Sequence, residues 1–88
     1  MRYRIEITKR ADKQLLALSA KVRERIAEKI GLLGSDPSAQ AIDVKPLIND
    51  PEARFRLRVG SYRVKFNRDD TLKVIAVARI GHRKEIYK

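Results

Sequence analysis

The sequence predicts an α+β fold: a strand, an antiparallel helix pair, then a three-strand antiparallel meander, forming one sheet with the helices on one face. Three observations predict it. Apolar residues alternate at Tyr3, Ile5 and Ile7, the period of a half-buried strand. They then recur at helical spacing, first at Ala11, Leu15 and Leu18, then at Val22, Ile26, Ile30 and Leu33. From Arg54 onward they alternate again, in two runs of opposite phase joined by Gly60-Ser61. The 88 residues suit one domain, 1–88, with a small continuous core.

Each element has a local reason. Arg2–Thr8 reads as the first strand, and Thr8 suits an N-cap because its hydroxyl can accept an orphan N–H of the next turn. Ser19 is the corresponding cap for the second helix, and the short break before it implies antiparallel packing. Gly34, with Pro37 beyond it, predicts that helix's stop. Lys21, Arg23, Arg25 and Lys29 lie off the apolar stripe, interleaved with Glu24 and Glu28, and read as solvated surface. Residues 35–53, broken by three prolines, read as a long loop anchored by Val44 and Leu47. A loop of this length is a binding element or an insertion.

Arg54-Phe55-Arg56-Leu57-Arg58-Val59 alternates basic with apolar, and Tyr62-Arg63-Val64-Lys65-Phe66 does so in the opposite phase. Gly60-Ser61 fits a type II′ turn with glycine at its first central position. That turn pairs Val59 with Tyr62, Arg58 with Arg63, Leu57 with Val64, Arg56 with Lys65 and Phe55 with Phe66. A turn at Arg68-Asp69-Asp70 leads to a last strand, Leu72–Ile80, apolar on both faces as an interior strand should be. Gly81 ends it, and the tail is His82-Arg83-Lys84-Glu85-Ile86-Tyr87-Lys88.

Composition narrows the function classes. Cysteine is absent, which removes disulfides, thiolate metal sites and a Cys nucleophile. No apolar run approaches the ~20 residues of a membrane span, and the N-terminus has no signal-peptide core, so a soluble, cytoplasmic protein with no membrane partner is expected. The net charge of +10 is unevenly placed: residues 54–88 hold 11 basic and 3 acidic residues. That asymmetry points to a polyanion, nucleic acid first and an acidic protein segment second.

The hairpin register sharpens the point. Like charges directly opposed across strands cost roughly 0.2–1 kcal/mol per pair, so folding alone gives no reason to stack Arg58 on Arg63 and Arg56 on Lys65. Residues 54–68 contain no acid. Balance by acids elsewhere is one reading of this face, and anion binding the other. Guanidinium forks match phosphate oxygens in bidentate fashion, and helices on the far side would leave the face open. With a single His and no acidic pair beside it, no metal or cofactor site is indicated. Metal-free RNA cleavage by the 2′-OH remains, needing a base, an acid and cations around the phosphate. His82 and Tyr87 are the candidate proton-transfer groups, although a lone His near a strand end also serves as surface cover and a Tyr near a terminus as a packing anchor.

Arg56-Leu57-Arg58-Val59-Gly60-Ser61-Tyr62-Arg63-Val64 with Arg79-Ile80-Gly81-His82-Arg83-Lys84-Glu85-Ile86-Tyr87 resembles the RelE branch of the RelE/ParE toxin superfamily over nearly the whole chain. The resemblance implies a RelE-like fold and a type II toxin–antitoxin toxin. It further implies metal-independent cleavage of mRNA in the ribosomal A site, contact with the ribosome and its rRNA, and inhibition by a cognate antitoxin protein. By position it implies catalytic roles for Arg58, Arg63, Arg83 and Tyr87 and puts Arg56 on the same basic strand; the basic face and tail themselves offer Arg54, Arg56, Lys65 and His82 for holding RNA. Some members carry Lys where this chain has Arg56 and Arg58. Arginine is a poor proton acceptor, which leaves Tyr87 or His82 as base, or Arg58 acting by charge. Two alternatives remain open: a ParE-like gyrase poison without nuclease activity, and a non-enzymatic RNA- or ribosome-binding module.

Overall fold

The computed structural model describes residues 2–86. In chain order the elements are β1 (Arg4–Ile7), α1 (Lys9–Leu16), α2 (Ala20–Ser35), β2 (Asp43–Pro46), β3 (Phe55–Val59), β4 (Tyr62–Asp69), β5 (Val74–His82) and α3 (Arg83–Ile86). The strands form one sheet in the order β1-β5-β4-β3-β2. β1 pairs in parallel with β5, and every other neighbour is antiparallel.

The helix pair starts where its caps predict. Thr8 Oγ1 accepts from the Ala11 amide at 3.1 Å and Ser19 Oγ from Val22 at 3.5 Å. Ala11, Leu15, Ile26, Ile30 and Leu33 turn inward onto Leu57, Val59, Val64, Phe66, Ile75, Val77 and Ile80 of the sheet. Phe55 and Phe66 stack with ring centroids 5.6 Å apart. The β3–β4 register is the one expected from the two opposite phases, from Phe55 with Phe66 to Val59 with Tyr62. Gly60 has φ 59°, the backbone that a II′ turn demands at its first central position and that glycine adopts without penalty.

Three local expectations change. Gly34 does not stop α2, which runs on to Ser35 and is capped at Asp36. A Cβ at Gly34 would come within 3.0 Å of Ile5 Cδ1, and the Gly34 carbonyl accepts from the Tyr3 amide at 2.7 Å. Close approach of helix to β1 is what the glycine allows. The expected 35–53 loop contains β2, whose Val44 stands opposite Leu57. The last strand reaches His82, and a one-residue bulge lets it do so. Lys65 faces Arg79 while Phe66 faces Val77, leaving Ala78 as the extra residue. A bulge resets the alternation, so Ile75, Val77 and Ile80 all reach the helix-side core.

The second face of the sheet is partly covered. Ala53 and Ile86 are buried yet stand apart from the main core. Asn67 clasps the 52–54 backbone, accepting from the Arg54 amide at 2.9 Å and donating to the Glu52 carbonyl at 3.3 Å. Ile86 lies against Gly81, where an added Cβ would meet it at 3.8 Å. The 47–54 turn and α3 therefore roof part of the face that the sequence left open.

Candidate nucleic-acid interface

Strand pairing arranges the basic side chains in two rows across the second face. The row nearer the hairpin turn runs Asp43, Arg58, Arg63, Gly81; the inner row runs Lys45, Arg56, Lys65, Arg79. The rows lie two residues apart along each strand, about 6.6 Å.

Three of the four inner-row cations, Arg56, Lys65 and Arg79, are neutralised within the chain, and Lys45 at the β2 end is exposed. Arg56 donates to Asp43 through both the carboxylate and the carbonyl, each at 3.0 Å. Lys65, only 3% exposed, meets Asp50 Oδ2 at 2.7 Å and Glu52 Oε1 at 3.4 Å. Arg79 donates to the same Glu52 oxygen at 3.0 Å, while Arg10 of α1 takes Glu52 Oε2 at 2.9 Å. Each carboxyl is held below its ordinary value: Asp43 by the hydrogen bond from Arg56, Asp50 by that from Lys65, Glu52 first by that from Arg79. The acids that balance the arginine hairpin thus come from residues 43–52, a segment whose spacing carries no such signal.

The outer row has no such partner. Among the described residues Arg58 makes no ion pair and stands exposed opposite Arg63. Arg63 donates to the Gly60 and Tyr62 carbonyls, each at 3.0 Å, which folds its guanidinium onto the turn and fixes its direction. The Arg83 amide donates to the Ser61 carbonyl at 2.8 Å, extending the β4–β5 ladder by one step. Arg83 is exposed, as is Arg54 at the far end of β3.

His82 stands elsewhere. It faces Tyr62 across the ladder, so its ring shares the helix side, edge-on to Tyr62 at 5.4 Å between centroids. Its Nδ1 accepts from the Lys84 amide at 3.1 Å, capping α3. Beside it a cleft of about 270 Å³ opens between Gln14, Leu18, Tyr62, Glu85 and Ile86. Tyr87 lies outside the described residues. Arg25 is not remote surface: its Nη2 lies 3.6 Å from where a Cβ on Gly60 would stand.

Unpaired guanidiniums beside a largely neutralised row have the donor geometry that matches phosphate oxygens. Known proteins share this architecture. The family profile for the ParE toxin of the type II toxin–antitoxin system parDE matches residues 5–87. The chain belongs to this family. The RelE–RelB complex of Pyrococcus horikoshii OT3 superposes with a TM-score of 0.79 at 29% identity, covering 97% of this chain and 99% of the other. The toxin–antitoxin complex RelBE2 of Mycobacterium tuberculosis gives 0.78 at 25%, covering 93% and 99%. The isolated E. coli RelE toxin gives 0.69 at 27%, covering 97% and 90%. A sequence search of curated proteins finds no match. The RelE/ParE resemblance carried by the hairpin and tail therefore holds, and the protein is a type II toxin–antitoxin toxin of that superfamily. Among the described residues no helix is long and apolar enough to cross a membrane.

Proposed function

We propose that this toxin, acting as a single domain in the cytoplasm, is a metal-independent endoribonuclease that cuts mRNA in the ribosomal A site. A cognate antitoxin would hold it inactive. The observation that carries the reading is the outer row: Arg58 and Arg63 side by side, with Arg83 at the end of the ladder and no ion pair on any of the three among the described residues, the neighbouring Asp43 being bound to Arg56. The 2′-oxygen gives its proton to a base and attacks the neighbouring phosphorus, negative charge grows on the non-bridging oxygens, and the P–O5′ bond breaks as the 5′-oxygen takes a proton from an acid. Fixed guanidiniums stabilise that developing charge without reorganising, and Arg63, tied to two carbonyls, suits the task. His82 lies on the helix side with Nδ1 engaged as a cap, which favours Tyr87, as its phenolate, for proton abstraction, or Arg58 acting by charge alone. RelE relatives crystallised as toxin–antitoxin complexes support the antitoxin partner.

Purified protein added to ribosomes programmed with mRNA should cut the message and spare naked RNA, and Arg83→Ala should abolish the cut. Intact message at high toxin concentration would sink the reading. A second reading has its own observation: the matching family profile is ParE, which favours gyrase poisoning. Gyrase-dependent DNA breaks in expressing cells, with mRNA left whole, would decide for it.

A further inference from the structure

The inner row holds four cations against the two of the outer one, and the same sheet presents them to the same side. What differs at the Lys65–Arg79 end of the inner row is the 47–54 turn. Asp50 shapes it, its Oδ1 accepting from the Glu52 and Ala53 amides at 2.8 and 3.1 Å. Asn67 fastens it from β4. The turn sets the Glu52 carboxylate among three cations from three elements: Arg10, Lys65 and Arg79. A carboxylate so surrounded makes the contacts that a phosphate would make at that spot.

We infer that Glu52 is an internal phosphate mimic that sets the ligand's footprint: it occupies the Lys65–Arg79 end of the inner row, so a single-stranded polyanion on the outer-row arginines is kept from that end. The inference rests on the reading of this face as an RNA surface, and names the residue that limits how much RNA it takes. Lys65 stays tied to Asp50 at 2.7 Å whatever happens at Glu52. Arg79 has Glu52 as its carboxylate partner, so removal of that charge releases Arg79 first. The rows are about 6.6 Å apart, within reach of neighbouring phosphates on one strand.

The test compares wild type, Glu52→Gln, Arg79→Ala and the double variant for binding of a short labelled oligouridylate over a salt series. Glu28→Gln on the exposed face of α2 makes the same change in net charge away from the sheet. Glutamine keeps an acceptor for Arg79 and Lys65, and thermal melts check that each variant folds. Glu52→Gln should tighten binding about three- to tenfold at low salt. It should also steepen the dependence of log affinity on log salt by roughly 0.7, the increment for one more phosphate on a single strand. Arg79→Ala should cancel that gain in the double variant and change little by itself. Equal slopes for wild type and Glu52→Gln overturn the inference, and so does a matching gain from Glu28→Gln. So does a reduced slope for Arg79→Ala alone, since Arg79 would then already meet the ligand. Absence of binding by every variant at low salt overturns instead the reading of the face as an RNA surface. The Arg79 pair keeps the test decisive if Glu52→Gln melts early, because both members of that comparison carry the same lesion.

Discussion

Arg56 and Arg58 sit two residues apart on β3, face the same way, and are chemically identical, yet their surroundings assign them different work. Arg56 is tied to Asp43 and largely covered; its side chain is 12% exposed. Arg58 is exposed and opposes Arg63. Removing Arg56 strips a charge-assisted hydrogen bond and should cost about 1–2 kcal/mol of stability. Removing Arg58 relieves a like-charge pair and should leave stability unchanged or raise it by up to ~1 kcal/mol. Cleavage on the ribosome should respond in the opposite sense. Arg58→Ala should lose about 100-fold or more, the scale for one transition-state charge partner, and Arg56→Ala much less. Urea unfolding and primer-extension assays on the two variants check both halves. That the two residues share a face follows from alternation alone. Which one is bare does not, because Asp43 lies 13 residues away and no periodicity links the two.

At the scale of elements, the parts with strong local signals are the ones the sequence makes legible. Thr8 and Ser19 announce their helices, and the phases around Gly60-Ser61 determine the whole hairpin register. β2 is four residues long and ends at Pro46, too short for alternation to stand out, although Ile42 and Val44 carry a trace of it. α3 is also four residues long, below the length at which a helix holds by itself, and depends on the His82 cap. The 47–54 turn is invisible for another reason: its role lies in carboxylates reaching β4 and β5. Those carboxylates give it a pH dependence of definite sign. Asp50 and Glu52 titrate lower in the fold than in the unfolded chain. Their stabilisation is therefore complete above the ordinary carboxyl range and is lost as pH falls through the depressed folded values. Acid should loosen this turn below roughly pH 4. Glu52→Gln should cost about 1 kcal/mol at neutral pH, a fall of roughly 4–8 °C in Tm for a domain this small. Its melting temperature should then decline less steeply than that of wild type between about pH 5 and 3. Parallel profiles would mean that Glu52 does not carry the effect.

For the whole molecule, a net charge of +10 suggests a protein that clings to any polyanion, and the distribution of partners argues otherwise. Most of that excess belongs to residues 54–88, as the sequence makes plain. Arg56, Lys65, Arg68 and Arg79 from that stretch are each held by a carboxylate. The charge left to a ligand on the second face is mainly the outer row and Arg83. Long-range attraction still scales with the total, but it is screened within about 10 Å at 0.1 M salt. Contact is made only by groups that release counterions. Three phosphate contacts give log affinity a slope near −2 against log salt for a single strand, whereas engaging both rows would approach roughly −4. Wild-type protein titrated with an oligoribonucleotide from low to moderate salt should therefore show the shallower slope. Arg58→Ala and Arg63→Ala should each reduce it by about 0.7, while Lys21→Ala on the exposed face of α2 should weaken binding slightly and leave the slope alone. A slope near −4 in the wild type would mean that RNA displaces the internal carboxylates on binding. The ion pairs of the 47–54 turn would then be broken in the complex, and the turn would become more accessible to protease when RNA is bound.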